Sequence, residues 1–255
     1  GKKNDGNKFV KQSFKRKASI AVINRLQNGL DIRRQVKVKD TLRFLTEISK
    51  ILRTNLNTKI IAITGSCGKT TLKELLGSAL KKIHKTSISP KSYNNKYGVP
   101  LSLFNLNHSD IYGVLEIGMD KKGEIDYLSK IVQPDISVIT NVSYAHAKNF
   151  KNISQIALAK SEIIHNTKPN GHIVLNADDT FFKLHKKLAF KKNLKVISFG
   201  IKNPKSNIKL VNFTKIGKIH NINVKINTKK KSFLTSNNFQ NNIYNILAAL
   251  AVISI

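Results

Sequence analysis

A short apolar strand that runs straight into a glycine-bounded loop constrains this chain more than any other feature. Residues 59–64 read KIIAIT, the Ile-rich pattern of a strand buried on both faces. Gly65, Ser66, Cys67 and Gly68 interrupt it, and Lys69, Thr70 and Thr71 lead into LKELLGSAL, which reads as a helix. Strand, glycine-rich turn and helix in that order form a cradle for phosphate. The two glycines let the backbone turn tightly, and the helix start adds partial positive charge. Lys69 is placed to reach the outer phosphates of a nucleotide, and the Thr70 hydroxyl to ligate Mg²⁺. Only Ser66 and Cys67 separate the glycines, whereas the common phosphate-loop pattern has four residues there. The flanking strand and helix therefore carry the assignment against the competing reading, a structural turn with a solvated lysine.

The chain has 255 residues, room for one large or two modest domains. Its 45 Lys and Arg against 14 Asp and Glu give a formal charge of +31, which raises nucleic acid as a partner. The lysines are spread from end to end, and Lys, Asn and Ile are all abundant, so most of the charge reads as compositional drift. Nucleic acid is not the expected partner. No apolar run has the length of a membrane span, and no secretory signal is read at the start. The single cysteine excludes an internal disulfide and fits a reducing, cytoplasmic setting.

Residues 5–23 read as a helix and a short strand, and VKVKD as another strand, with Asp40 or Thr41 capping a helix through Leu52. This is expected to be the remnant of a small N-terminal α/β domain, with a linker at 55–58. The expected division is 1–57 and 58–255. From Lys59 onward, strands are expected at 60–64, 86–89, 111–117, 135–140, 172–176 and 195–199. Helices are expected at 71–83, 99–104, 123–132, 153–166 and 178–188. The alternation predicts an α/β fold, a mostly parallel sheet with helices on both faces, whose ligands bind beyond the carboxyl ends of the strands. Residues 206–234 suggest a small antiparallel addition, and 237–255 a final helix.

The residues that follow the strands are the candidates. Glu116 is a carboxylate inside an apolar run, which suits either Mg²⁺ or a lysine partner. His146 lies beyond the strand at 135–140, at the same end of the sheet, and is read as a ligand or a structural histidine. Lys160 shares a helical face with Ile153, Ile156, Ile163 and Ile164, so it points inward. It is either a snorkelling lysine or a desolvated amine able to form a carbamate with CO₂. Asn94 and Asn95 precede a helix and also suit turn and cap roles.

The stretches TGSCGKTT, YNNKYGVPLSL, LEIGMDKKGEI, PDISVITNVSYAH, ALAKSEI, NADD and NNIYNILAALA together resemble the Mur ligase family of ATP-dependent amide-forming enzymes. Within it, the segment from Glu116 to His146 is most similar to members that add D-Ala-D-Ala to UDP-N-acetylmuramoyl-tripeptide. The resemblance implies that the loop Gly65–Thr71 with Lys69 holds ATP and that Thr70 and Glu116 bind a first Mg²⁺. It implies His146 and a carbamylated Lys160 at a second Mg²⁺, with Lys69, His146 and Lys160 as the catalytic set. Asn94 and Asn95 would lie near the muramoyl-peptide, Asn242 and Asn245 near adenine, and Asp178 and Asp179 match the NADD segment. An acyl phosphate formed from ATP would be attacked by the amine of D-Ala-D-Ala. Asn241 stands where the family usually has His, Phe239 near a usual Gly, and AKNFK after His146 in place of LEGFG; these departures bear on the adenine contacts and on the second metal. The family's C-terminal domain and most of its uridine-binding domain are not found in these residues. The chain is therefore read as a fragment or a degenerate product, monomeric, which binds Mg-ATP without turning over alone. Two readings compete: another member of the family, such as a folylpolyglutamate synthase or a different muramoyl ligase, and a non-catalytic basic remnant that binds nucleic acid.

Overall fold

The computed structural model describes residues 5–144, 149–217, 219–236 and 239–255. The chain forms two compact units, residues 1–51 and 52–255. In the first, a 3-10 turn at Gly6–Phe9 and helix α1 (Val10–Lys15) precede β1 (Ala21–Ile23), which pairs in parallel with β2 (Gln35–Lys37). Helix α2 (Thr41–Thr54) follows, and the Asp40 carboxylate accepts the amides of Leu42 and Arg43 at its start. Asp40 is thus the cap, since its side chain reaches the amides that have no helical acceptor.

The division falls within α2, earlier than the linker expected at 55–58. The cause is Arg53, which is almost fully buried. Its guanidinium donates to the carbonyls of Val132 at 2.7 Å and Gln133 at 3.0 Å, and to the Asp135 carboxylate at 2.9 Å. Burial lowers the Arg53 pKa, and the charge of Asp135 opposes that shift. Leu56 is buried and Thr58 donates its hydroxyl to the Asp110 carbonyl, so 55–58 is anchored at alternate residues.

The second unit contains β3 (Lys59–Thr64), α3 (Lys69–Lys81), β4 (Thr86–Ile88), α4 (Gly98–Phe104), β5 (Tyr112–Glu116), α5 (Glu124–Val132) and β6 (Ile136–Ile139). After these come α6 (Ile153–Asn166), β7 (His172–Asn176), α7 (Phe182–Lys191), β8 (Lys195–Gly200), β9 (Ile208–Ile216), β10 (Ile219–Ile226), β11 (Lys229–Ser236) and α8 (Phe239–Ile253). The strands form one sheet in the order β11-β10-β9-β8-β7-β6-β3-β5-β4, parallel from β4 to β9. The antiparallel addition expected at 206–234 is therefore an extension of the main sheet, because β9 pairs with β8 before the chain turns back.

Alternation along β3 sorts the core into two layers. Ile60 and Ala62 pack with residues of α4, α5 and α6, whereas Ile61 and Ile63 pack with Leu72 and Leu76 of α3 and Leu247 and Ala248 of α8. Helix α7 starts at Phe182, later than the expected Asp178, because Asp178 and Asp179 spend their carboxylates on nearby amides. No helix among the described residues is long and apolar enough to cross a membrane.

Candidate functional site

Strand β3 lies between β5 and β6, and from it the chain proceeds to opposite sides of the sheet. Such a reversal opens a crevice at the carboxyl ends of the strands. The loop 65–68, the end of β5 and the segment after β6 all sit there.

The segment after β6 braces the loop. Ser66 N–H donates to Asn141 O at 3.0 Å and Cys67 N–H to Asn141 Oδ1 at 3.0 Å, while the Thr140 hydroxyl donates to Cys67 O at 2.7 Å. The amides of Ser66 and Cys67 are thereby engaged within the protein. The first main-chain bond of α3 runs from Leu72 N–H to Gly68 O. The amides of Lys69, Thr70 and Thr71 precede that ladder and form the anion-facing start of the helix. Lys69 Nζ lies over the loop, 2.9 Å from Gly65 O.

Both loop glycines have positive φ, +149° at Gly65 and +81° at Gly68. A Cβ at Gly65 would stand 1.8 Å from Thr140 Oγ1, and one at Gly68 would stand 2.7 Å from Asn245 Oδ1. Asn245, on α8, is thus set against the phosphate loop. The neighbouring Tyr244 donates its hydroxyl to Asp178, and burial and that carboxylate push the Tyr244 pKa up to about 12. Asp178 also accepts the amides of Ile201, Lys202 and Asn203. Burial raises its pKa, but these donors outweigh it and leave the carboxyl below its ordinary value. Asp179 accepts the amides of Val142 and Phe181. Asn242 is half-buried on α8, and the side chains of Phe239 and Asn241 lie outside what is described.

Glu116 closes the end of β5 with 1% of its surface exposed. Thr70 Oγ1 donates to its Oε2 at 2.7 Å, and Asn94 Nδ2 to its Oε1 at 2.7 Å. Among the described residues no lysine or arginine pairs with it, so the salt-bridge alternative is not what this fold uses. No group of three or more His, Cys, Asp and Glu side chains converges among the described residues. One carboxylate and one hydroxyl fit a divalent ion carried in on phosphates, which takes its other ligands from phosphate oxygens and water. Asn95 accepts the amides of Tyr97 and Gly98 at the start of α4.

Lys160 is 2% exposed on α6. Burial, reinforced by the nearby charge of Lys69 and opposed by Cys67, lowers its pKa to about 7. His146 lies outside the described residues. Thr140 and Asn141 were not legible as loop braces, since nothing in ITN signals which backbone groups its side chains will meet.

Residues 63–253 match the Mur ligase middle domain. The chain belongs to the Mur ligase family. A curated relative from Buchnera aphidicola, UDP-N-acetylmuramoyl-tripeptide–D-alanyl-D-alanine ligase, is 38% identical over 219 residues, 82% of this chain and 47% of the relative. The crystal structure of MurF from Acinetobacter baumannii superposes with a TM-score of 0.87 at 31% identity and covers 100% of this Mur ligase chain and 55% of that one. MurF from Thermotoga maritima in complex with ADP gives 0.86 at 27%, with 100% and 58% covered. The chain thus spans about half the length of the Mur ligases it matches.

Proposed function

We propose that this chain is the ATP-binding part of a ligase that joins D-Ala-D-Ala to UDP-N-acetylmuramoyl-tripeptide in peptidoglycan precursor synthesis. The observation that carries the reading is the Thr70–Glu116–Asn94 arrangement at the mouth of the phosphate loop. The curated relatives that bear this activity in their names support the choice within the family.

Lys69 and the first amides of α3 would hold the ATP phosphates, and Thr70 and Glu116 would hold Mg²⁺ beside them. Mg²⁺ there supplies charge neutralisation for phosphoryl transfer to the substrate carboxylate. Lys160, as a carbamate, would hold a second Mg²⁺ with His146. A pKa near 7 leaves about half of the Lys160 amines neutral at pH 7, against roughly one in several thousand for an ordinary lysine, and the neutral amine is the form that captures CO₂. Asn94 reaches the substrate side of the crevice by way of Glu116, and Asn95 fixes the start of α4 beside it. Asn242 and Asn245 border the nucleotide from α8. The reaction asks for positioning and electrostatic stabilisation more than for an acid–base pair, and these residues offer that.

Calorimetry of Mg-ATP binding, with and without bicarbonate, tests the nucleotide part of the reading in the wild type and in Lys69→Ala. Binding in the first and its loss in the second is the expected result. Phosphate release that requires both UDP-N-acetylmuramoyl-tripeptide and D-Ala-D-Ala tests the substrates. Salt-dependent DNA binding indifferent to Lys69→Ala, without ATP binding, would favour the basic-remnant reading.

A further inference from the structure

Lys73 is fully buried on α3, one turn beyond Lys69. Burying an ammonium costs several kcal/mol unless its donors are satisfied. Lys73 satisfies them on one short segment. Nζ donates to Ser89 O at 2.8 Å and to Lys91 O, and it pairs with Glu74 at 3.0 Å. Lys91 holds a left-handed backbone at φ +44°, uncommon for a residue with a Cβ.

The segment that Lys73 grips leads directly to Glu116. Ser89 Oγ accepts the Glu116 amide at 3.3 Å, Asn94 O accepts the Gly118 amide at 2.8 Å, and Asn94 Nδ2 holds Glu116 Oε1. Gly118 permits this approach, because a Cβ there would lie 2.9 Å from the Asn94 carboxamide carbon. Helix α3 therefore holds Glu116 twice, directly through Thr70 and indirectly through the loop 89–94.

We infer that Lys73 is a positioning residue, whose grip on the carbonyls of Ser89 and Lys91 sets the loop that aims the Glu116 carboxylate at the nucleotide-bound Mg²⁺. The inference rests on the nucleotide reading above. It assigns a function to a buried charge whose Nζ is engaged by protein acceptors alone among the described residues.

The test is nucleotide affinity of the 255-residue chain, measured in Mg²⁺ and again in EDTA, for wild type, Lys73→Met, Lys73→Arg and Glu116→Gln. Lys73→Met should lose about tenfold in Mg-ATP affinity, the effect of one charged hydrogen-bond set, and nothing in EDTA. Glu116→Gln should show the same pattern, and Lys73→Arg should restore most of the loss. Loss of affinity equal in Mg²⁺ and EDTA, or no loss in either, would overturn the proposal. If the wild type binds no nucleotide, the nucleotide reading falls together with this one; a binding wild type with an unaffected Met variant defeats this one alone. Should Lys73→Met not fold, amide exchange in the wild type decides. The amides of Asn94 and Asn95 should slow with Mg-ATP but not with ATP in EDTA, and equal behaviour would sink the idea.

Discussion

Thr70 and Glu116 meet at 2.7 Å across the crevice, the hydroxyl at the start of α3 donating to the carboxylate at the end of β5. The contact joins the phosphate loop to the neighbouring strand and presents two oxygen ligands side by side. Thr70→Val should keep the fold, since Val replaces Thr at similar volume at an exposed position in the first turn of α3. It should abolish most of the Mg²⁺-dependent gain in ATP affinity, measured by titration in Mg²⁺ and in EDTA. Equal affinity gains in mutant and wild type would remove Thr70 from the metal site.

Gly65 and Gly68 predict different severities. Gly65→Ala meets the Thr140 hydroxyl at 1.8 Å, on a backbone that Ala rarely adopts, so it should destabilise the chain by about 2–4 kcal/mol and eliminate ATP binding. Gly68→Ala first meets the carboxamide of Asn245, the end of a side chain that can move. Asn245→Ala in the same chain should recover part of that loss, leaving the backbone strain of about 1 kcal/mol. Urea midpoints of the single and double variants measure the coupling.

The Lys160 amine predicts a pH dependence with a definite sign. Its folded pKa is near 7 and its unfolded value is that of an ordinary lysine, 10.5. Between those values the unfolded chain binds more protons, so this group makes stability rise with pH across the window and contributes no slope below it. In CO₂-free buffer, Lys160→Met should therefore be more stable than wild type at pH 6.5, with the difference shrinking as pH approaches 10. A difference that is constant with pH would mean that Lys160 is not held in a desolvated site.

Arg53 predicts the largest purely structural effect. Arg53→Met removes donors from the carbonyls of Val132 and Gln133 and from Asp135, which retains Lys168 at 2.9 Å and the Ile60 amide at 2.8 Å. Breaking such a buried set costs about 3–5 kcal/mol, readable as a shift in the denaturation midpoint. Nucleotide affinity measured below the transition should be unchanged, because the cluster lies at the amino ends of β3 and β6.

What could be read in advance followed from local rules. KIIAIT before GSCGKTT is self-announcing, and Glu116 stands out as an acid in an apolar run. Strand His172–Asn176 and helix Ile153–Asn166 have the bounds their periodicity predicts. What escaped depends on partners distant in sequence. Lys73 looks like any of the many solvated lysines until Ser89 and Lys91 fold against it. Arg53 follows a helix expected to run through Leu52, and alongside its local acceptors at Leu56 and Thr58 it reaches Val132, Gln133 and Asp135, which nothing local announces. Asn141 looks like a loop residue, and only the fold reveals that it occupies two amides of the phosphate loop. The sheet extension read as a separate addition because the join, β8 with β9, involves only Phe199–Gly200 and Ile208–Lys209.

The contact of Gly68 with Asn245 has a consequence in time. The loop at 65–68 is synthesised well before α8 at Phe239–Ile253, the helix set against it. Until α8 emerges, Leu247, Ala248, Ala251 and Val252 are absent from the layer that also holds Leu72 and Leu76. A ribosome-bound chain that stops before residue 239 carries the whole phosphate motif with its apolar floor still open, and such surfaces recruit chaperones. The nucleotide pocket is announced when residues 59–71 emerge and completed only once α8 has followed.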